Sequence, residues 1–174
     1  AVGAERISKS LNLGNLLRSA HGFGAAFTFT LGATYQALEA QADTSKGSRH
    51  LPHYNWAKLD DLVLPEGCKL VGIELLDRAI DLPSFQHPLR AAYVLGPEQG
   101  SLSEPLIARC DYIIRIPTSF CVNVAMAGAI VTSLMLPWHW QWPSAIDWLL
   151  FIWAGLAGCL GHLCLIRAFQ RAPA

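Results

Sequence analysis

Charge is scarce in this chain and neither sign prevails: 13 Lys and Arg stand against 13 Asp and Glu, and charged residues make up 15% of the 174. That balance excludes a protein that holds nucleic acid by bulk electrostatics, whose footprint is a strongly basic face. Any nucleic-acid site must then be a local cluster. Cysteine pairs at metal-ligand spacing are also lacking. Cys68, Cys110, Cys121, Cys159 and Cys164 form no C-x-x-C and have no histidine at zinc-ligand distance, which suits reduced, mostly buried thiols in a cytosolic setting better than a disulfide framework. His50 and His53 lie three apart without further ligands, so no metal is expected. The first ten residues lack a leader's apolar run. They look like a clipped strand, with a few residues expected upstream.

What the chain does have is an uneven distribution. Apolar residues reach 52%, and the excess is local: residues 1–131 carry 11 Lys and Arg and 12 Asp and Glu, whereas the last 43 residues hold only Asp147, Arg167 and Arg171. The length allows one domain with a proper core plus an appendage. The expected division is a domain over 1–131 and an apolar tail over 132–174.

Within the first part, Leu13, Leu16, Leu17 and Ala20 recur at helical spacing over 12–23, and Gly22 and Gly24 can end that helix. Residues 25–31, 69–75 and 90–95 are apolar runs of strand length that suit a sheet covered on both faces. Residues 35–42 predict a further helical turn or two, 43–55 a polar loop, and 81–88 a loop or short crossover. A helix over 104–110 has Ser103 as its N-cap and Pro105 in its first turn. A strand over 111–116 and a helix over 122–136, broken by Pro137, follow. Strands alternating with helices predict an α/β fold with a mostly parallel sheet.

Three motifs stand at or near strand ends: Asn12-Leu13-Gly14-Asn15-Leu16-Leu17-Arg18, Gly96-Pro97-Glu98-Gln99-Gly100-Ser101-Leu102-Ser103, and Ile116-Pro117-Thr118-Ser119-Phe120-Cys121-Val122-Asn123-Val124-Ala125. In open α/β sheets ligands gather at the carboxyl ends of strands. Each motif alone has a structural explanation: Gly96 and Gly100 for a turn, Arg18 for a surface ion pair, Asn123 for a helix cap. Together and in this order they carry more. A basic cluster of Arg6, Lys9 and Arg18, with Lys46, Arg49, His50 and His53 in the loop, is the candidate for RNA, against the plainer possibility of solvated surface.

From about Ala4 to Val131 the chain resembles the SpoU/TrmH family of RNA ribose 2′-O-methyltransferases of the SPOUT class. Asn12, Gly14 and Arg18 meet the family's Asn-x-Gly-x-x-x-Arg; Gly96, Glu98 and Gly100-Ser101-Leu102 meet its second motif, with the small residues shifted by one; and Ile116-Pro117 with Cys121 to Ala125 meets its third. Cys121 and Ala125 replace hydroxyl residues usual there. The resemblance implies a C-terminal trefoil knot, an exception to unknotted topology, and S-adenosyl-L-methionine bound by Glu74, Leu95, Gly96, Ile116, Cys121 and Val122, mainly through main-chain groups. It implies catalytic roles for Arg18, Asn12, Glu98 and Asn123. Arg18 would act at the 2′-hydroxyl or, since a guanidinium keeps its proton, orient the phosphate and polarise that hydroxyl; Glu98 would anchor Arg18 or the adjoining loop. Arg6, Lys9, Arg18, Lys46 and Arg49 would hold the RNA, with tRNA preferred over rRNA, and the enzyme would be a homodimer.

The tail differs in kind. Residues 148–166 carry no formal charge and are long enough to cross a bilayer as a helix, with Trp138, Trp140 and Trp142 before and Arg167 and Arg171 after. From about Leu136 to Ala174 the sequence resembles a fragment of an EamA-type drug/metabolite transporter, too short to enclose a transport path. The expectation is a cytoplasmic methyltransferase, membrane-anchored if this helix inserts. The alternative is a catalytically silent, membrane-associated fusion remnant.

Overall fold

A computed structural model of the chain describes residues 1–35, 47–118, 122–133 and 143–171, except the side chains of 47–48 and 161–171. Two compact units divide the chain, residues 1–139 and 140–174.

Among the described residues the first unit is built on seven strands: β1 (Val2–Glu5), β2 (Thr28–Leu31), β3 (His53–Trp56), β4 (Lys69–Ile73), β5 (Ile80–Asp81), β6 (Ala91–Leu95) and β7 (Tyr112–Arg115). They form one sheet in the order β3-β2-β1-β6-β4-β7-β5, with every pair parallel. The helices are α1 (Ser10–Gly22), α2 (Gly47–His50), α3 (Glu104–Arg109) and α4 (Val124–Ser133). Strand side chains alternate between faces, and both faces are covered. Val2, Ala4, Val71, Tyr93 and Leu95 meet Leu13, Leu16 and Leu17 of α1 and Val124, Ala127 and Val131 of α4. Phe29, Leu70, Ala92 and Val94 on the other face meet Leu106 and Ile107 of α3. Burial of each valine, leucine, isoleucine or phenylalanine among them contributes roughly 1.5–3 kcal/mol.

Where α1 packs on α4, a Cβ at Gly128 would overlap Leu16 Cδ1, so a side chain there requires the buried Leu16 to shift. In the sheet, Gly3 is under the same constraint: its Cβ would lie 2.5 Å from the Phe29 carbonyl oxygen.

Several expectations are corrected. The polar stretch 43–55 is not all loop, since α2 occupies 47–50 and β3 begins at His53. Its polar side chains are used across the sheet: Thr28 Oγ1 lies 2.9 Å from His53 Nδ1, and Thr30 Oγ1 donates to Asn55 Oδ1 at 3.0 Å. Tyr54 and Trp56 stack on the opposite face, 5.6 Å apart. The 81–88 loop yields its start to β5, which the Arg115–Asp81 ion pair ties to β7. Ser103 stands at the α3 N-cap position without making the cap bond; its hydroxyl donates to Glu5 Oε1 at 2.5 Å. Residues 36–42 and 134–136 of the expected helices lie outside the described residues.

Cys68 and Cys110 are partly buried and Cys159 is exposed, so burial does not extend to every described thiol. Burial pushes the Cys110 thiol up to about 11, far from a reactive thiolate. The side chain of Cys164 and all of Cys121 lie outside the described residues.

Among the described residues the second unit is one helix, α5 (Ala145–Arg171). It opens on a reciprocal cap: Ser144 N–H donates to Asp147 Oδ2 at 2.8 Å, and Asp147 N–H donates to Ser144 Oγ at 3.3 Å. Its described side chains, 145–160, are exposed. Among the described residues no helix is long and apolar enough to cross a membrane. The side chains of residues 161–166 of the expected span, and Trp138, Trp140 and Trp142 of the expected belt, lie outside the described residues.

Candidate functional site

The carboxyl ends of parallel strands point the same way, so the loops leaving β1, β4, β6 and β7 share one edge of the sheet. A cleft of about 170 Å³ opens there. Glu74 and Leu75 after β4, Leu95 to Glu98 at the end of β6, Ile116 and Thr118 after β7, Val122 to Val124 at the start of α4, and Lys9 before α1 line it.

A chain of side-chain hydrogen bonds joins the three motifs beside this cleft. Asn12 is buried, and its Nδ2 donates to Glu98 Oε1 at 3.0 Å. Asn123 Nδ2 donates to Asn12 Oδ1 at 3.2 Å. Glu98 also accepts the Ser8 N–H at 2.9 Å, the Ser8 hydroxyl at 3.0 Å and the Lys9 N–H at 3.0 Å. Burial of the Glu98 carboxyl opposes its charge, but the donors from Ser8 and Asn12 outweigh it and hold the group below the ordinary carboxylate range. Asn123 keeps its structural task as well, since its Oδ1 accepts the Ala125 N–H at 2.8 Å and so caps α4.

Two further carboxylates fix the loop from Gly96 to Ser103. Glu74 Oε2 accepts the Leu102 N–H at 2.7 Å, and Glu5 Oε2 accepts the adjacent Ser103 N–H at 2.8 Å. A Cβ on Gly96 would stand 3.4 Å from Leu102 N and 3.5 Å from Glu74 Oε2, against that hydrogen-bonded wall. Gly100, at φ +93°, takes a backbone conformation that disfavours other residues.

The expected residues separate into three groups. Glu74, Leu95, Gly96, Glu98, Ile116, Val122 and Asn123 line the cleft, and Asn12 stands behind it through Glu98. Lys9, expected at the RNA, lines the cleft too and gives its N–H to Glu98. Arg18 is exposed on α1, six residues beyond Asn12, and is not among the cleft residues. Glu98 therefore anchors Asn12 and the loop before α1 rather than Arg18. Arg6 is exposed and commits Nη2 to the Ser101 carbonyl at 2.8 Å, and Arg49 is exposed on α2. Lys46 and Cys121 lie outside the described residues.

Sequence reasoning missed Ser8, Glu5 and Leu75. Glu5 had a signal, a carboxylate ending an apolar strand, but its partner Ser103 is 98 residues away. Ser8 and Leu75 had none.

Residues 1–133 match the model of the SpoU rRNA Methylase family. The chain is similar to the tRNA (guanosine(18)-2'-O)-methyltransferase TARBP1 of Mus musculus, 27% identical over 145 residues that take in 75% of this chain and 9% of that protein. Among solved structures it is similar to the AdoMet-bound rRNA methyltransferase from Sinorhizobium meliloti, with a TM-score of 0.70 and 23% identity over 81% of this chain and 56% of the other. The A. aeolicus TrmH/SpoU tRNA modifying enzyme has a TM-score of 0.62 and 16% identity, over 78% and 73%. The chain thus spans a small part of its curated relative and little more than half of the Sinorhizobium protein. With the family model covering three quarters of the sequence and its three motif loops meeting at one cleft, this chain belongs to the SpoU rRNA Methylase family.

Proposed function

We propose that the chain is an S-adenosylmethionine-dependent RNA methyltransferase that modifies a ribose 2′-hydroxyl, of tRNA in preference to rRNA. The observation that carries this proposal is the hydrogen-bonded path from Glu98 through Asn12 to Asn123 along a cleft walled by Gly96 and Ile116. The residues fit the cofactor: the cleft offers apolar walls from Leu95, Ile116 and Val124, and Gly96 is part of its lining. When bound, S-adenosylmethionine supplies an electrophilic sulfonium methyl group.

Leu95, Gly96, Ile116 and Val122 would hold that group through main-chain atoms, with Cys121 and Glu74 beside them. Methylation of a hydroxyl also requires alignment and removal of one proton. Glu98 is unsuited to take that proton, because four donors already share its two oxygens. Its task is to position the loop before α1. Arg18 would align the RNA, and its place outside the cleft of its own chain supports a homodimer in which it serves the partner's site. Leu11 and Met126, exposed apolar side chains on the adjoining helices α1 and α4, support the same assembly. The C-terminal trefoil knot that the family resemblance implies is kept as part of this proposal. For the tail we retain the resemblance to an EamA-type transporter fragment, and membrane association as its role.

Calorimetry on the full chain with S-adenosylmethionine, and with its demethylated product, should show one site per subunit. Tritiated methyl groups should then enter unmodified tRNA and appear as 2′-O-methyl nucleosides by mass spectrometry. Arg18→Ala should lower transfer by about 100-fold or more while leaving cofactor affinity largely intact. Transfer at the parent rate removes Arg18 from the mechanism, and absence of binding heat leaves the silent membrane-associated remnant.

A further inference from the structure

A corner on α1 and α2, apart from the cleft of its own chain, sets beside Arg18 three donors that the proposed chemistry does not use: His21, Arg49 and His50. The His21 and His50 rings stack with centroids 5.4 Å apart and planes within 21°. Arg18 lies three residues before His21, hence on the same helix face, and Arg49 adjoins His50. All four are exposed. Neither helix carries an acidic residue, and among the described residues no side chain of the four makes a hydrogen bond or ion pair.

Most other arginines of this unit are committed. Arg115 pairs with Asp81, and Arg6, Arg90 and Arg109 donate to the carbonyls of Ser101, Glu66, and Leu59 and Leu62. Against that pattern, and in a chain of zero net charge, three donors without another task, His21, Arg49 and His50, stand with Arg18 at one corner and suit an anion. The planar forks of Arg18 and Arg49 suit phosphate oxygens, and the paired imidazoles add N–H donors beside them.

We infer that this corner docks a backbone phosphate of the RNA substrate, on the strand leaving the reacting ribose. The inference rests on the RNA-methylation proposal and deepens it. From Asn12 the corner lies about 9 to 14 Å along α1, at 1.5 Å per residue. Phosphate contacts of this kind fix register without reading bases.

The test uses the full chain, a fluorescein-labelled oligouridine and an unmodified tRNA transcript, with anisotropy followed across a salt series. The triple variant His21→Gln, Arg49→Gln and His50→Gln should bind both RNAs about tenfold more weakly at low salt. Its log–log salt slope should be shallower by about 1 to 2, with S-adenosylmethionine binding unchanged. His21→Lys with His50→Lys should bind at least as tightly as the parent, with a slope no shallower. Inorganic phosphate at matched ionic strength should compete only weakly, because one phosphate lacks the neighbouring contacts of a strand; full competition would identify a free-phosphate site and overturn the assignment to RNA. Parent-like affinity and slope in the triple variant would overturn it too, as would equal losses in the glutamine and lysine variants, which would point to local packing. Failure of the parent chain to bind S-adenosylmethionine counts against the methylation proposal; the corner is judged by the RNA series.

Discussion

Asn12 illustrates how one buried amide can unite motifs that are far apart in sequence. Its Nδ2 serves Glu98 and its Oδ1 serves Asn123, so Asn12→Ala strands an acceptor and a donor in a single step. The expected cost is about 1–3 kcal/mol, read as a lower urea midpoint at unchanged slope. Glu98→Gln should cost at least as much, because an amide cannot accept from the Ser8 hydroxyl, two backbone N–H groups and Asn12 together. A midpoint unchanged in both variants would remove the hydrogen-bonded path from the account of the site. The residue types were legible in sequence, since Asn12, Glu98 and Asn123 were singled out from their motifs. Their partnership was not, because the pairs are 86 and 111 residues apart. Arg18 shows the converse: motif membership marked it, and only coordinates place it away from its own cleft.

Among the elements, those with a strong apolar pattern were readable and those held by polar or edge contacts were not. The runs that became β4 and β6 are nearly continuous in apolar residues, as a strand covered on both faces requires. β3 reads His-Tyr-Asn-Trp, and its register comes from Thr28 and Thr30 on the neighbouring strand. β5 has two residues and depends on β7 for its identity. The contact of α1 with α4 leads to a paired prediction. Gly128→Val should destabilise the chain by about 1–3 kcal/mol through overpacking against Leu16. Gly155→Ala in α5, where no atom lies within 4 Å of the added Cβ, should instead favour helix by about 0.5–1 kcal/mol. Urea melts of the first variant and helical ellipticity of the second measure these. Equal effects at the two positions would contradict the described packing.

At the scale of the molecule, acid should act through carboxylates that tie distant segments together. The Lys69 ammonium chiefly holds Asp111 below its ordinary range, while Asp111 also accepts the Leu70 N–H and so joins the starts of β4 and β7. Glu98 is depressed as well, its donors outweighing burial. A depressed folded-state pKa contributes stability above the unfolded value, lost as pH falls through the folded value. Melting temperature should therefore hold between pH 7 and 5 and fall below about pH 4. The double variant Glu98→Gln, Asp111→Asn should start lower and fall less; a parallel decline would assign acid sensitivity to other groups.

The strand order has a last consequence, for synthesis on the ribosome. β1 lies beside β6, and the Ala1 nitrogen donates to the Ala91 carbonyl, 90 residues on. The motif that leaves β1 thus waits for most of the domain to emerge before it meets Glu98, and longer still for Asn123. Closing such long loops precedes any reward from the contacts they make. A nascent or truncated chain ending before residue 123 should be catalytically blank however well its early segments fold, and a ribosome stalled there would display helices and strands without a place for a ligand.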